Sequence, residues 1–161
     1  MSFQINKKDV YINVSGLSRT FEKNGESFKA LDNVSFTVNR GDIVCIVGAS
    51  GCGKSTLLRA VSGLDPVHDG KVTVDGKEIT RPAKERGVVF QEHRLFPWMT
   101  VEQNIGYALG GKNRAEKKEI VRQHIELVGL SGFEKSYPGQ LSGGMAQRAG
   151  IARALANKPS L

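Results

Sequence analysis

Eight consecutive residues, Gly48-Ala49-Ser50-Gly51-Cys52-Gly53-Lys54-Ser55, satisfy the spacing G-x-x-x-x-G-K-[ST]. Each residue type in it answers a need of phosphate chemistry. Glycines let the backbone curl so that successive N–H groups point into one concavity, which side chains at Gly51 and Gly53 would obstruct. A helix beginning near Lys54 adds the positive end of its dipole. Lys54 brings a point charge that reaches β and γ phosphates, and the Ser55 hydroxyl can ligate Mg²⁺. A second run, Leu141-Ser142-Gly143-Gly144-Met145-Ala146-Gln147-Arg148, puts a hydroxyl and two glycines at the entrance of another helix. That too is an anion-binding end, although taken alone the run reads better as an N-cap with a flexible approach.

These residues need elements to hold them. Val10, Ile12 and Val14 alternate with polar neighbours and Val34, Phe36 and Val38 repeat the period of two, which predicts an antiparallel beginning with one face covered. Arg40-Gly41-Asp42 turns the chain, and Ile43 to Val47 is a β-branched run of the kind buried on both faces of a parallel sheet. A helix follows from Lys54, with Leu57, Leu58 and Val61 on one face and Gly63 ending it. After a turn over 65–70, Val72 and Val74 alternate, Asp75-Gly76 makes a two-residue hairpin, and Glu78-Ile79 returns. Gly87-Val88-Val89-Phe90 reads as a second short buried strand ending at Gln91. From about Val101 the period becomes helical: Ile120, Val121, Ile125 and Val128 mark one helix, and Met145, Ala149, Ala152 and Ala156 another, entered through Ser142. Lys158-Pro159 stops that helix, and Ser160-Leu161 looks like the first step of a new strand.

Composition limits the alternatives. The 161 residues carry 23 Lys+Arg against 16 Asp+Glu, a net charge of +7, with 39% hydrophobic residues, which fits one folded domain rather than disorder. The longest apolar run is five residues, far short of the roughly 20 that cross a bilayer, and Met1 to Val10 is polar without a cleavage signal. Cys45 and Cys52 form no disulfide framework, so a reducing cytosol is expected. The basic residues are scattered. Their densest stretch, Lys112 to Arg122, is interrupted by Glu116 and Glu119 and reads as a solvated helix face rather than a nucleic-acid surface. Asn6-Lys7-Lys8-Asp9 matches the guanine-reading N-K-x-D, but no buried strand has room to precede it, so the match is taken as accidental.

Ser142 stands 88 residues after Lys54, beyond a helical insert and a Gln that closes the second strand, and in that context the Leu141 to Arg148 run resembles the signature sequence of ATP-binding cassette proteins. The resemblance covers essentially the whole chain. It implies an α/β fold of the P-loop NTPase (ABC ATPase) type, with an N-terminal antiparallel β subdomain and P-loop core over about 1–91 and a helical signature subdomain over about 92–157. It also implies ATP and Mg²⁺ as ligands. Gly48, Ser50, Gly51, Cys52, Gly53, Lys54, Ser55 and Thr56 would hold the phosphates, and Phe21, with Phe28 as a weaker candidate, would stack on adenine. Gln91 resembles the glutamine that approaches Mg²⁺ and the attacking water, so Lys54 and Gln91 carry the catalytic roles and Ser55 and Gln91 the metal. Ser142, Gly143 and Gly144 would touch the γ-phosphate held by a second copy, so that a homodimer sandwiches two nucleotides.

By the same resemblance the chain would sit peripherally on the cytoplasmic face of the inner membrane, docked on permease subunits through His93 to Trp98, with a periplasmic solute-binding protein acting indirectly. The opposing reading makes Phe96 and Trp98 core of the helical insert. The wording from Phe90 to Ile105 and the Met145-Ala146 pair resemble the nitrate, sulfonate and taurine importers, although Met145 departs from the glutamine usual in the wider family. The family's Mg²⁺-positioning Asp, its water-polarising Glu and its switch His belong after Pro159. Their absence implies a C-terminally truncated chain with an incomplete core sheet, a bared apolar edge and ATP binding without turnover. His68, His93 and His124 precede the signature and receive no catalytic role.

Overall fold

A computed structural model describes residues 10–23, 25–66 and 69–161. The motif over Asn6 to Asp9, His68 and the middle of the turn over 65–70 lie outside the described residues. The chain divides after Ala83 into two compact units.

In the first unit, β1 (Val10–Lys23) pairs antiparallel with β2 (Glu26–Asn39) on one side and with β3 (Asp69–Val74) on the other, and β4 (Lys77–Glu78) completes the order β2-β1-β3-β4. The period-two pattern decides which face is inside: Ile12, Val14, Leu17, Leu31, Val38, Val72 and Val74 are buried. Asp75 and Gly76 both take positive φ, +52° and +73°, as a two-residue hairpin between strands requires. Helix α1 (Lys54–Ser62) puts Leu57, Ala60 and Val61 into the same core. It ends where predicted. Gly63 sits at φ +78°, its N–H bonds to the Ala60 carbonyl at 3.1 Å, and the Leu64 N–H reaches the Arg59 carbonyl at 2.9 Å.

The run from Ile43 to Val47 corrects the sequence reading. It is not a strand and it is not buried: Ile43 is 95% exposed and Val47 90%. A β-branched run becomes a two-faced buried strand only when neighbours supply both ladders, and none pairs with it among the described residues. The segment Gly87 to Phe90 is likewise irregular and only partly buried. At its start a ladder is begun. The Leu161 N–H bonds to the Glu85 carbonyl at 3.1 Å and the Gly87 N–H to the Leu161 carbonyl at 2.7 Å, the alternation of a parallel pair. Neither segment forms a strand among the described residues.

The second unit is helical: α2 (Val101–Tyr107), α3 (Arg114–Leu127), a 3₁₀ turn (Pro138–Gln140) and α4 (Gly143–Leu155). Two N-termini carry reciprocal capping boxes, Thr100 with Gln103 and Asn113 with Glu116. Its core is Leu95, Val101, Ile105, Leu109, Val121, Ile125 and Leu130 against Ala146, Ala149, Ala152 and Ala156. Because the inward face of α4 is alanine and glycine, its neighbours pack closely onto backbone. The outer face of α3 is solvated as expected, with Arg122 bridging Glu119 at 2.7 Å and Glu126 at 3.1 Å.

Candidate functional site

The loop before α1 turns through two left-handed glycines, Gly51 at φ +82° and Gly53 at φ +92°. Gly53 is determined twice. Besides its φ, a Cβ there would fall on the Ala30 carbonyl oxygen and lie 3.1 Å from Leu31 Cδ2. Ala30 is itself an extra residue in β2, because the register steps from Arg19↔Leu31 to Thr20↔Lys29. This β-bulge presents a carbonyl to the loop. At the other end, a Cβ on Gly48 would stand 2.6 Å from Cys52 Sγ.

No side chain caps α1 at Gly53, so the leading N–H groups, which have no intrahelical acceptor, are left for an external one. The Lys54 ammonium folds back over the loop and donates to the carbonyls of Gly48 at 2.8 Å and Ala49 at 2.6 Å, with Cys52 Sγ at 3.6 Å. Ser50, Gly51, Cys52 and Ser55 are exposed, and Thr56 is half-buried. Uncapped amides, an ammonium held by exchangeable loop contacts, and left-handed glycines that curl the backbone together fit a polyphosphate. The exposed Ser55 hydroxyl suits Mg²⁺ arriving with phosphate oxygens; among the described residues no cluster of His, Cys, Asp or Glu would hold a metal by itself.

Phe21 lies across from Phe28 in the β1–β2 ladder, and the rings are 39% and 58% exposed. Phe28 precedes Ala30 by two residues, about 7 Å along the strand. The strand pair that touches the loop therefore also carries the predicted base-stacking ring. At the end of α1, Arg59 grips Asp65 through two bonds of 2.8 and 3.0 Å, and this hydrogen bonding holds the Asp65 carboxyl below its usual range.

In the second unit Ser142 is the N-cap of α4, its Oγ accepting from the Met145 N–H at 3.3 Å. Gly143 and Gly144 are exposed, and a Cβ on either would meet nothing within 4 Å. Packing inside the chain therefore gives no reason for glycine there; bare backbone at a helix N-terminus leaves room for something that approaches from outside. Gln91 is exposed, and the segment around it is fastened to one face of α4. Gln147 Nε2 donates to the Phe90 carbonyl at 3.0 Å, Arg153 Nη2 to the His93 carbonyl at 3.3 Å, and a Cβ on Gly150 would lie 3.1 Å from that same oxygen. Residues 147, 150 and 153 stand three apart, as one helix face demands. The sequence reading missed this row, because the spacing Q-x-x-G-x-x-R does not say which segment lies against it. It also missed Asn104, which is fully buried and bonds to Phe96, Met99 and Thr100. Trp98, offered as either docking surface or core, is 69% exposed, and its ring lies 5.5 Å from that of Phe96. Trp98 is not core.

Residues 31–161 match the family model described as ABC transporter. The chain is 47% identical over 150 residues to the aliphatic sulfonates import ATP-binding protein SsuB of Bacillus cereus, covering 93% of this chain and 59% of that protein. It is 44% identical over 154 residues to the nitrate import ATP-binding protein NrtD of Synechocystis sp., covering 94% of this chain and 58% of that one. The chain thus spans a little under three fifths of these curated relatives. Among solved structures it resembles the dimeric post-hydrolysis state of the ATP-binding cassette MJ0796 bound to ADP and Pi, with a TM-score of 0.85 and 32% identity over 92% of this chain and 70% of that one. The fold is that of the ABC ATPase cassettes, and the chain belongs to the ABC transporter family.

Proposed function

We propose that this chain is the nucleotide-binding domain of an importer's ATP-binding subunit, which couples ATP binding and hydrolysis to the entry of a small anionic solute of the nitrate, sulfonate or taurine kind. One observation carries the reading: an uncapped glycine loop with Lys54 folded over it, in a chain where α4 also opens on exposed Ser142, Gly143 and Gly144. Gly48, Ser50, Gly51, Cys52, Gly53, Lys54, Ser55 and Thr56 hold the phosphates and Phe21 the adenine, while Ser55 and Gln91 would hold Mg²⁺, which would offset the charge of the transferring phosphoryl group. Lys54 and Gln91 carry the catalytic roles. Ser142, Gly143 and Gly144 cover the nucleotide held by a second copy, so that two chains close over two ATP molecules. Closure against triphosphate repulsion is driven by amide donors and helix dipoles from both sides, and hydrolysis releases it.

The β subdomain with its phosphate loop occupies about 1–91 and the helical subdomain about 92–157. The exposed Trp98, Tyr107 and half-buried Phe96 form an aromatic patch with the composition of interface hot spots, and we assign docking on a permease to it. No helix among the described residues is long and apolar enough to cross a membrane, in keeping with peripheral attachment at the cytoplasmic face. The relatives named for sulfonate and nitrate import support an anionic cargo, handed over by a periplasmic binding protein that does not touch this chain. Replacing Lys54 by Ala in the complete polypeptide should abolish ATP hydrolysis, measured as phosphate release; unchanged turnover would overturn the assignment.

A further inference from the structure

Arg19, in β1, has no part in the site described above beyond a minor charge effect that helps hold the Asp65 carboxyl down. Its Nε is shut off from solvent and has no hydrogen-bond partner among the described residues. Such a donor costs free energy unless something offsets it. The guanidinium lies over the Phe21 ring, 4.9 Å from its centroid, within the range of a cation–π contact. In the ladder Arg19 stands opposite Leu31, and Leu31 Cδ2 is the side-chain atom that closes on Gly53 of the phosphate loop. One residue therefore links the loop's support to the aromatic ring. An apolar side chain would fill the same space without burying a donor, so packing alone does not account for arginine.

We infer that Arg19 is a positioning residue for the nucleobase: its guanidinium holds one face of Phe21 so that the other face is presented to a purine while the triphosphate lies in the loop. The inference rests on the reading of Phe21 as the base-stacking residue. A ring with a cation on one face is held in its plane before the ligand arrives, so less freedom is lost on binding. In this reading Arg19 acts on the base through Phe21 and not on the phosphates or the reacting atoms. Its removal should cost affinity for the base and nothing for the polyphosphate.

The test measures equilibrium binding of ATP and of inorganic tripolyphosphate to the complete polypeptide, for the unmodified protein, Arg19→Met, Arg19→Lys, Phe21→Leu and the double variant Arg19→Met/Phe21→Leu. Arg19→Met should weaken ATP about three- to tenfold, the range a cation–π contact supplies, and leave tripolyphosphate unchanged. Arg19→Lys, which keeps the cation, should recover most of the loss, and the double variant should bind ATP no more weakly than Phe21→Leu alone. Retained tripolyphosphate binding also shows that each variant is folded. ATP affinity unchanged or tighter in Arg19→Met, equal losses for both ligands, or additive losses in the double variant would overturn the inference while leaving the nucleotide site intact. ATP binding untouched by Phe21→Leu, or absent from the unmodified protein, would overturn the reading of the site and this inference with it.

Discussion

Replacing Asn104 by Ala should loosen the segment that carries Trp98 while sparing the phosphate loop. Asn104 is fully buried; its Oδ1 accepts from the Phe96 N–H at 2.8 Å, and its Nδ2 donates to the carbonyls of Phe96 at 3.2 Å, Met99 at 3.0 Å and Thr100 at 3.0 Å. Two amide hydrogens shared over three carbonyls, plus the accepted bond, amount to about three effective hydrogen bonds, worth about 1 kcal/mol each. The stranded Phe96 N–H adds to the loss, while carbonyls near the surface recover water. The expected cost is about 2–4 kcal/mol, or about 5–15 °C in a melting transition for a domain this size. Asn104→Asp should be as damaging although nearly isosteric. It keeps the acceptor for Phe96 but turns a carboxylate onto three carbonyl oxygens. Thermal unfolding of both variants, with hydrogen exchange over 95–105, measures this. A loss under about 0.5 kcal/mol in either variant, well below a single hydrogen bond, would refute the reasoning.

Two further outcomes follow from the geometry. Cys52 is exposed inside the phosphate loop with Sγ 3.6 Å from Lys54 Nζ, so Mg-ATP should slow its alkylation by iodoacetamide; equal labelling rates with and without nucleotide would contradict this. Hydrogen bonds from Arg122, then from Gln123, bring the Glu119 carboxyl down from 4.5 to about 2. Because the folded value lies below the unfolded one, this contribution is complete above pH 4.5 and is lost as pH falls toward 2. A carbon NMR titration with a Glu119 midpoint near 4.5 would show that the pairing on α3 is absent in solution.

Much of this was legible in the residues. The hairpin at Asp75-Gly76, the stop at Gly63 and the serine entrance to α4 follow from conformational and capping preferences that act within a few residues. The segments 43–47 and 87–90 were misread because a strand is a property of its neighbours: five apolar residues state that burial is wanted, not that partners are at hand. Helix α2 was passed over because seven residues carry a short periodic signal, although the capping pair Thr100 and Gln103 marked its start. Of the candidate site, the loop was readable because its glycines and lysine act locally. The row Gln147, Gly150 and Arg153 was not, because its meaning depends on which segment lies against it.

In the proposed function the amides and ammonium of residues 48–55 receive the triphosphate, and Ser142, Gly143 and Gly144 of a second copy cover it. A crystal structure of the complete polypeptide with Mg²⁺ and a non-hydrolysable ATP analogue tests this most directly. The β and γ phosphates should lie within hydrogen-bonding distance of the loop amides and Lys54 Nζ, with a twin molecule's α4 entrance on the opposite side. A triphosphate seated anywhere else, or a nucleotide left uncovered in a closed dimer, would contradict it.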